Sequence, residues 1–130
     1  MDSQKLGKFG EEIACRFLEE KGYKIIEKNY FKIWDSAKKG EIDIIAKKDG
    51  VFIFIEVKTQ KSPPANSGRG FLPEDRVDFQ KQRKLIKLAQ TWLIKNKISL
   101  DSKWQMDVIS AAVDPISEKA EIKHFQNAFC

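Results

Sequence analysis

The sequence predicts an α/β (α+β) domain in the order α-β-β-β-α-β-β, with a central mixed sheet flanked by helices. Three observations predict it. Two segments repeat apolar residues at three- and four-residue steps, as helices do. Several shorter runs are rich in Ile, Val and Phe, as strands are. Asp49-Gly50 and Asp114-Pro115 punctuate those runs where turns belong. The length of 130 residues fits one domain over 1–130, and 42% hydrophobic residues suffice for a core.

The first helix is expected over Gln4 to Lys21. Leu6, Phe9, Ile13 and Phe17 form its apolar stripe, and Gly22 ends it. Tyr23 to Glu27 reads as a strand, with apolar alternation resuming loosely through Ile33 and Trp34. Asp35 to Lys39 reads as a polar loop. Glu41–Ala46 and Val51–Lys58 then form a hairpin, because Lys47-Lys48-Asp49-Gly50 carries a strong turn signal between them. Residues 61–75 are rich in Pro, Gly, Ser and Asn and read as a long flexible loop. A second helix is expected from about Glu74 to Asn96, burying Val77, Leu85, Leu88, Ala89, Trp92 and Leu93. Trp104–Val113 and Ala120–Phe125 close the chain as strands.

Composition narrows the chemistry. Two cysteines and one histidine cannot furnish the four Cys or His ligands of a structural zinc site. Any catalysis must fall to carboxylates and lysines. No apolar run approaches the roughly 18 residues of a membrane span. The first residues show no apolar core of a secretory leader, so a cytoplasmic location and no membrane partner are expected. A net charge of +5 favours a polyanionic partner, most simply nucleic acid.

The hairpin concentrates that chemistry. A two-residue Asp49-Gly50 turn sets Asp43 against Glu56 and Glu41 against Lys58. A four-residue loop from Lys47 leaves Asp43 and Glu56 diagonal neighbours on one face. Either way two acids face each other among Ile42, Ile44, Ile45, Phe54, Ile55 and Val57. Such repulsion needs a cation. Lys58 supplies one charge, and an oxygen-only ligand set suits Mg²⁺ or Mn²⁺. An edge hairpin with its polar face in water, and Glu41–Lys58 as an ion pair, gives the same pattern.

The helices add candidates. Glu12 shares the solvated side of the first helix with Lys5, Lys8, Arg16 and Glu19. Glu11 sits on the flank of the stripe beside Gly7, Ala14 and Leu18, where small residues let a neighbouring element approach. It is either a boundary glutamate or a carboxylate that reaches the hairpin. In the second helix Lys81 and Gln82 fall inside the apolar arc, and a buried phosphate or carboxylate would satisfy them. Snorkelling past the core edge would also accommodate Lys81. Arg83, Lys84 and Lys87 form a basic face suited to backbone phosphates, or simply to water.

In order and spacing, Gly7-x-x-Gly10-Glu11, Gly40-Glu41-Ile42-Asp43, Phe54-Ile55-Glu56-Val57-Lys58 and Lys81-Gln82 resemble the PD-(D/E)XK nuclease superfamily. The match is closer to its YraN-type branch of small bacterial proteins, which is similar to archaeal Holliday-junction resolvases. Met106-Asp107-Val108 and His124-Phe125-Gln126-Asn127-Ala128-Phe129 resemble that branch too. Ile42 stands where the superfamily name expects Pro, and Gln60 where this branch often has Arg.

The resemblance implies a restriction-endonuclease-like core and a Mg²⁺- or Mn²⁺-dependent endonuclease acting on DNA, at branched or damaged structures. It implies Asp43, Glu56 and the Val57 carbonyl as metal ligands, with Glu11 completing the shell directly or through water. Lys58 would orient the attacking water and stabilise charge on the phosphate. Glu41, Lys81 and Gln82 would support the site. Independently of the resemblance, Lys61 and Arg69 of the 61–75 loop, with Phe71, could cover a duplex beside Arg83, Lys84 and Lys87; a plain disordered crossover is the alternative. By analogy with resolvases that cut a four-way junction twice, a homodimer is compatible. The alternative is a nucleic-acid-binding module on the same fold with little or no catalysis.

Overall fold

A computed structural model describes residues 1–35, 38–62 and 77–129. Its order is α1 (Ser3–Glu20), β1 (Lys24–Asp35), β2 (Lys38–Lys48), β3 (Val51–Lys61), α2 (Phe79–Lys95), β4 (Trp104–Val113) and β5 (Ala120–Phe129). The strands form one open sheet in the order β1-β2-β3-β4-β5. Only β3 and β4 run parallel, and the other pairs are antiparallel. The sheet is therefore mixed, and α2 lies within the connection that a parallel pair requires. Leu85, Leu88, Ala89, Trp92 and Leu93 of α2 pack on one face with Ile42, Ile45, Phe54 and Met106. Ala14, Cys15 and Leu18 of α1 pack on the other with Ile44, Ile53, Ile55 and Ile109.

The β2–β3 turn is the two-residue Asp49-Gly50. Lys48 pairs with Val51, and both turn residues have positive φ, +52° and +78°, as a type I′ turn needs. Pairing runs from there to Ile44↔Ile55. Beyond that point Asp43 Oδ2 accepts the Val57 N–H at 2.7 Å, so a side chain takes a backbone donor. The pleat of β2 also changes phase here. Ile42 and Ile45 face α2, whereas Ile44 and Ala46 face α1.

Several expectations need correction. The first strand is continuous to Asp35, with a register shift between Ile25 and Glu27. Asp35 pairs with Lys38, so the polar loop expected over Asp35–Lys39 gives up Asp35, Lys38 and Lys39 to strand. Lys61 belongs to β3, paired with Val113, so the loop expected over 61–75 does not begin there. Its residues 63–75, with Arg69 and Phe71, lie outside the described residues, as do 74–76 at the expected start of the second helix. That helix begins at Phe79, because the Asp78 carboxylate caps it by accepting the Lys81 N–H at 2.9 Å. Val77 is buried ahead of it. The last strand runs on to Phe129 past a register shift, carried by Asn127 at φ +49°.

The packed face of α1 also differs. Leu6, Gly10, Ala14, Cys15 and Leu18 are buried, while Phe9, Ile13 and Phe17 of the expected stripe are not fully buried. The cause is Gly10. A Cβ there would lie 2.0 Å from Thr59 Oγ1, whereas Gly7 has open space around it. Gly10, not Gly7, brings the helix onto β3, and it rotates Glu11 toward the sheet.

Candidate active site

The site forms where β2 and β3 part, and its four acids arrive on three elements. Glu11 follows the close-packed Gly10 on α1. Glu41 and Asp43 lie on β2 beyond its last pairing with β3, and Glu56 on β3. Carboxylate oxygens of Glu11, Glu41 and Asp43 all lie within 4.8 Å of one another. Glu11 is half-buried and Glu41 exposed. Asn29 bridges them, its Nδ2 donating to Glu11 Oε2 at 3.2 Å and to Glu41 Oε1 at 2.6 Å.

Asp43 bears the consequence of this crowding. Burial, then the Glu56 charge, then Glu11 and Glu41 push its pKa up to about 8, against the Val57 N–H bond that lowers it. Burial likewise pushes the Glu56 carboxyl up. Lys81 opposes that shift, with Nζ 2.8 Å from Glu56 Oε1. Burial pulls the Lys81 ammonium down, but the Glu56 hydrogen bond and charge outweigh it and hold the pKa above the usual lysine value. Four acids at one sheet end, two of them reluctant to ionise, form a charge cluster of the kind found at functional sites.

Lys58 lines a cleft of about 310 Å³ together with Glu56, Val57, Thr59, Gln60, Lys81 and Ser110. Its charge acts to lower the Glu56 pKa. No ion pair joins Glu41 to Lys58 among the described residues. Gln82 turns to the backbone instead, donating from Nε2 to the Val77 carbonyl at 2.9 Å, which anchors the start of α2 beside Lys81. Arg83, Lys84 and Lys87 lie on the outer side of α2 and Lys61 at the exposed end of β3. The Arg83 guanidinium stacks over Phe79, 5.6 Å from the ring centre.

Two features escape sequence reasoning. Asn29 is one, and its signal was there to read: an Asn amid strand formers is out of place unless its amide or its tolerance of positive φ is used. Both are, since Asn29 has φ +55°. Ser110 is the other. Among the described residues, Cys15 and His124 are tied into packing. Burial pushes the Cys15 thiol pKa up, opposite to what a nucleophile needs. His124 packs against the Phe17 and Tyr23 rings and binds the buried Asp107.

No helix among the described residues is long and apolar enough to cross a membrane. The family model described as "Uncharacterised protein family UPF0102" matches residues 10–111. That span holds every acid and lysine of the site. A UPF0102 protein of Caldanaerobacter subterraneus subsp. tengcongensis is 37% identical over 130 residues, 99% of this chain and 98% of that one. A UPF0102 protein of Alkaliphilus oremlandii is 35% identical over 127 residues, covering 98% and 99%. One from Clostridium botulinum strain Kyoto is 37% identical, covering 98% and 95%. With likeness running almost end to end, the chain belongs to the UPF0102 family.

Proposed function

We propose that this protein is a divalent-metal-dependent endonuclease that hydrolyses phosphodiester bonds in DNA, with branched or damaged DNA as its substrate class. The observation that carries this reading is the convergence of Glu11, Glu41 and Asp43 within 4.8 Å, with Asp43 pushed up to about 8. A hard divalent cation relieves that repulsion, and an oxygen-only donor set fits Mg²⁺ or Mn²⁺. Glu11, Glu41 and Asp43 would hold it, with Glu56 and the Val57 carbonyl at its edge. When bound, such an ion supplies positive charge to phosphate oxygens and acidity to water. Lys58 adds a fixed positive charge on the same strand as Glu56, able to orient a water and to stabilise charge developing on the phosphate. Lys81 keeps Glu56 in place. The products would be a 5′-phosphate and a 3′-hydroxyl. The α-β-β-β-α-β order, with its parallel β3–β4 pair, supports a restriction-endonuclease-like core of the PD-(D/E)XK type.

The test is cleavage of labelled four-way junction, flap, duplex and single-stranded DNA in Mg²⁺, Mn²⁺ or EDTA. Wild type should cut with metal only, and Glu56→Ala, purified in parallel, should fall to background while still binding DNA. Metal-dependent cutting that survives in Glu56→Ala would overturn the assignment.

A second reading has its own observation. Lys81 already neutralises Glu56 at 2.8 Å, as in a binding module without catalysis. That module would bind DNA without cutting it. Arg83→Ala or Lys84→Ala would then weaken binding and reduce the salt slope of log K by about one for each phosphate no longer neutralised. Unchanged binding in both would remove this reading.

A further inference from the structure

Ser110 sits on β4 directly beside Lys58 in the parallel register. It is 2% exposed, and its Oγ is the one buried side-chain polar atom without a hydrogen-bond partner among the described residues. The other buried polar side chains there are accounted for: Glu56 has Lys81, and Asp107 has Gln105, His124 and Asn127. A buried hydroxyl with no partner is costly and calls for an explanation. Packing gives none, because Ala111 and Ala112 follow it on the same strand and are buried as alanine. Its location gives one. Ser110 lines the cleft with Lys58, Lys81, Gln60 and Thr59.

That lining selects a ligand. Two ammonium groups, the Ser110 hydroxyl and an amide form a donor-rich wall suited to anionic oxygens; the Thr59 hydroxyl faces Gly10 on the other side of the sheet. Glu56 stands in the same cleft, already paired with Lys81, so the anion would lie beside that pair, within reach of Lys58. A cleft of about 310 Å³ falls at the small end of ligand sites, large enough for a phosphate group and part of what carries it.

We propose that Ser110 Oγ is a phosphate-binding group, donating to a non-bridging oxygen of a phosphoester held by Lys58 and Lys81. The identity of that ester as a DNA phosphodiester rests on the nuclease reading; the hydrogen bond to phosphate does not. Ser110 then contributes to binding the reacting phosphate rather than to holding metal.

The test compares wild type with Ser110→Ala in two arms. The first titrates inorganic phosphate at constant ionic strength and follows Tm. Phosphate should raise the wild-type Tm, and Ser110→Ala should need about tenfold more for the same rise, as expected when one hydrogen bond to a charged group is removed. Without phosphate, Ser110→Ala should be as stable as wild type or more so, since it removes an unpartnered hydroxyl. A structural serine would lower Tm instead. The second arm is DNA cleavage in Mg²⁺, where kcat/KM should fall about tenfold with a folded protein. An equal phosphate response in both proteins, or none in wild type, overturns the Ser110 proposal whatever the DNA result. A tenfold phosphate difference without DNA cleavage supports Ser110 as a phosphate ligand and overturns the nuclease reading.

Discussion

Asp107 on β4 and Asp43 on β2 are both acids set in the same sheet. Asp107 is fully buried. It accepts from Gln105 Nε2 at 2.8 Å and from the Asn127 N–H at 2.9 Å, and His124 Nε2 lies 2.6 Å from its other oxygen. Asp43 accepts one hydrogen bond from a described residue, the Val57 N–H, and is raised by the charges of Glu56, Glu11 and Glu41. Burial alone therefore does not mark a functional acid. Asp107 has the donors that make a buried carboxylate a structural part. Asp43 has been given more negative charge, which a fold gains nothing from unless something positive comes to it.

The largest expected effect is on the partnered side. Asp107→Ala leaves a ring nitrogen, an amide and a backbone N–H facing an apolar gap, each costing about 1–3 kcal/mol when buried without a partner. We expect a loss of about 3 kcal/mol or more in urea unfolding, with β5 fraying first. Asp107→Asn, which keeps one acceptor and the shape, should lose less. A near-neutral Asp107→Ala would end the distinction between the two aspartates.

Asp43 should behave in the opposite sense. Its pKa moves from 3.8 to about 8 on folding. Between those values the folded protein holds a proton that the unfolded chain releases, so stability falls as pH rises through that window and is lowest above it. Asp43→Asn keeps an acceptor for the Val57 N–H and removes the charge. At pH 9 without metal it should raise Tm by roughly 5 °C, and it should flatten the decline between pH 4 and 8. Mg²⁺ should raise the wild-type Tm at pH 8 and leave that of Asp43→Asn unchanged. Thermal scans across pH, with and without Mg²⁺, read both effects. A lower Tm for Asp43→Asn at pH 9 would show that the charge is needed by the fold.

What could be read in advance was local. Asp49-Gly50 sets its turn through backbone conformations its own residues favour, so the hairpin register follows from the chain as far as Ile44↔Ile55. The expected pairings of Asp43 with Glu56 and of Glu41 with Lys58 do not form, because the strands part there and Asp43 takes the Val57 N–H instead. Helical period placed Lys81 inside the apolar arc; the structure leaves it exposed, with its ammonium reaching the buried Glu56 carboxylate, so the partner was legible and the burial was not. The misses depend on neighbours distant in sequence. Hydrophobic periodicity weights Phe9, Ile13 and Phe17 by size, but the packed face of α1 is set by where Gly10 meets Thr59. The extension of β5 past Phe125 rests on an Asn127–Asp107 bond across strands. Asp107 and His124 were visible as residues, but their pairing depends on the β4–β5 register, and Asp114-Pro115 does not specify it. The gathering of Glu41 with Glu11 needed Asn29, on a strand whose irregularity no alternation pattern encodes.

Asn29 gives the smallest and most discriminating test, because it acts on the orientation of two carboxylates rather than on the charge of the cluster. Its amide spans Glu11 and Glu41, and its φ of +55° would strain alanine. Asn29→Gly removes the amide and keeps the backbone free to adopt that conformation. Outer hydrogen bonds of this kind hold ligands in position for a metal, and their removal costs about 10–100-fold in affinity. The expectation is a roughly tenfold weaker Mn²⁺ affinity by titration calorimetry, with stability changed by less than about 1 kcal/mol. If the cluster only repels itself, without holding metal, the same substitution leaves Mn²⁺ affinity where it was and shows in Tm alone. The ratio of those two responses thus separates a carboxylate set arranged for a cation from one merely crowded by the fold.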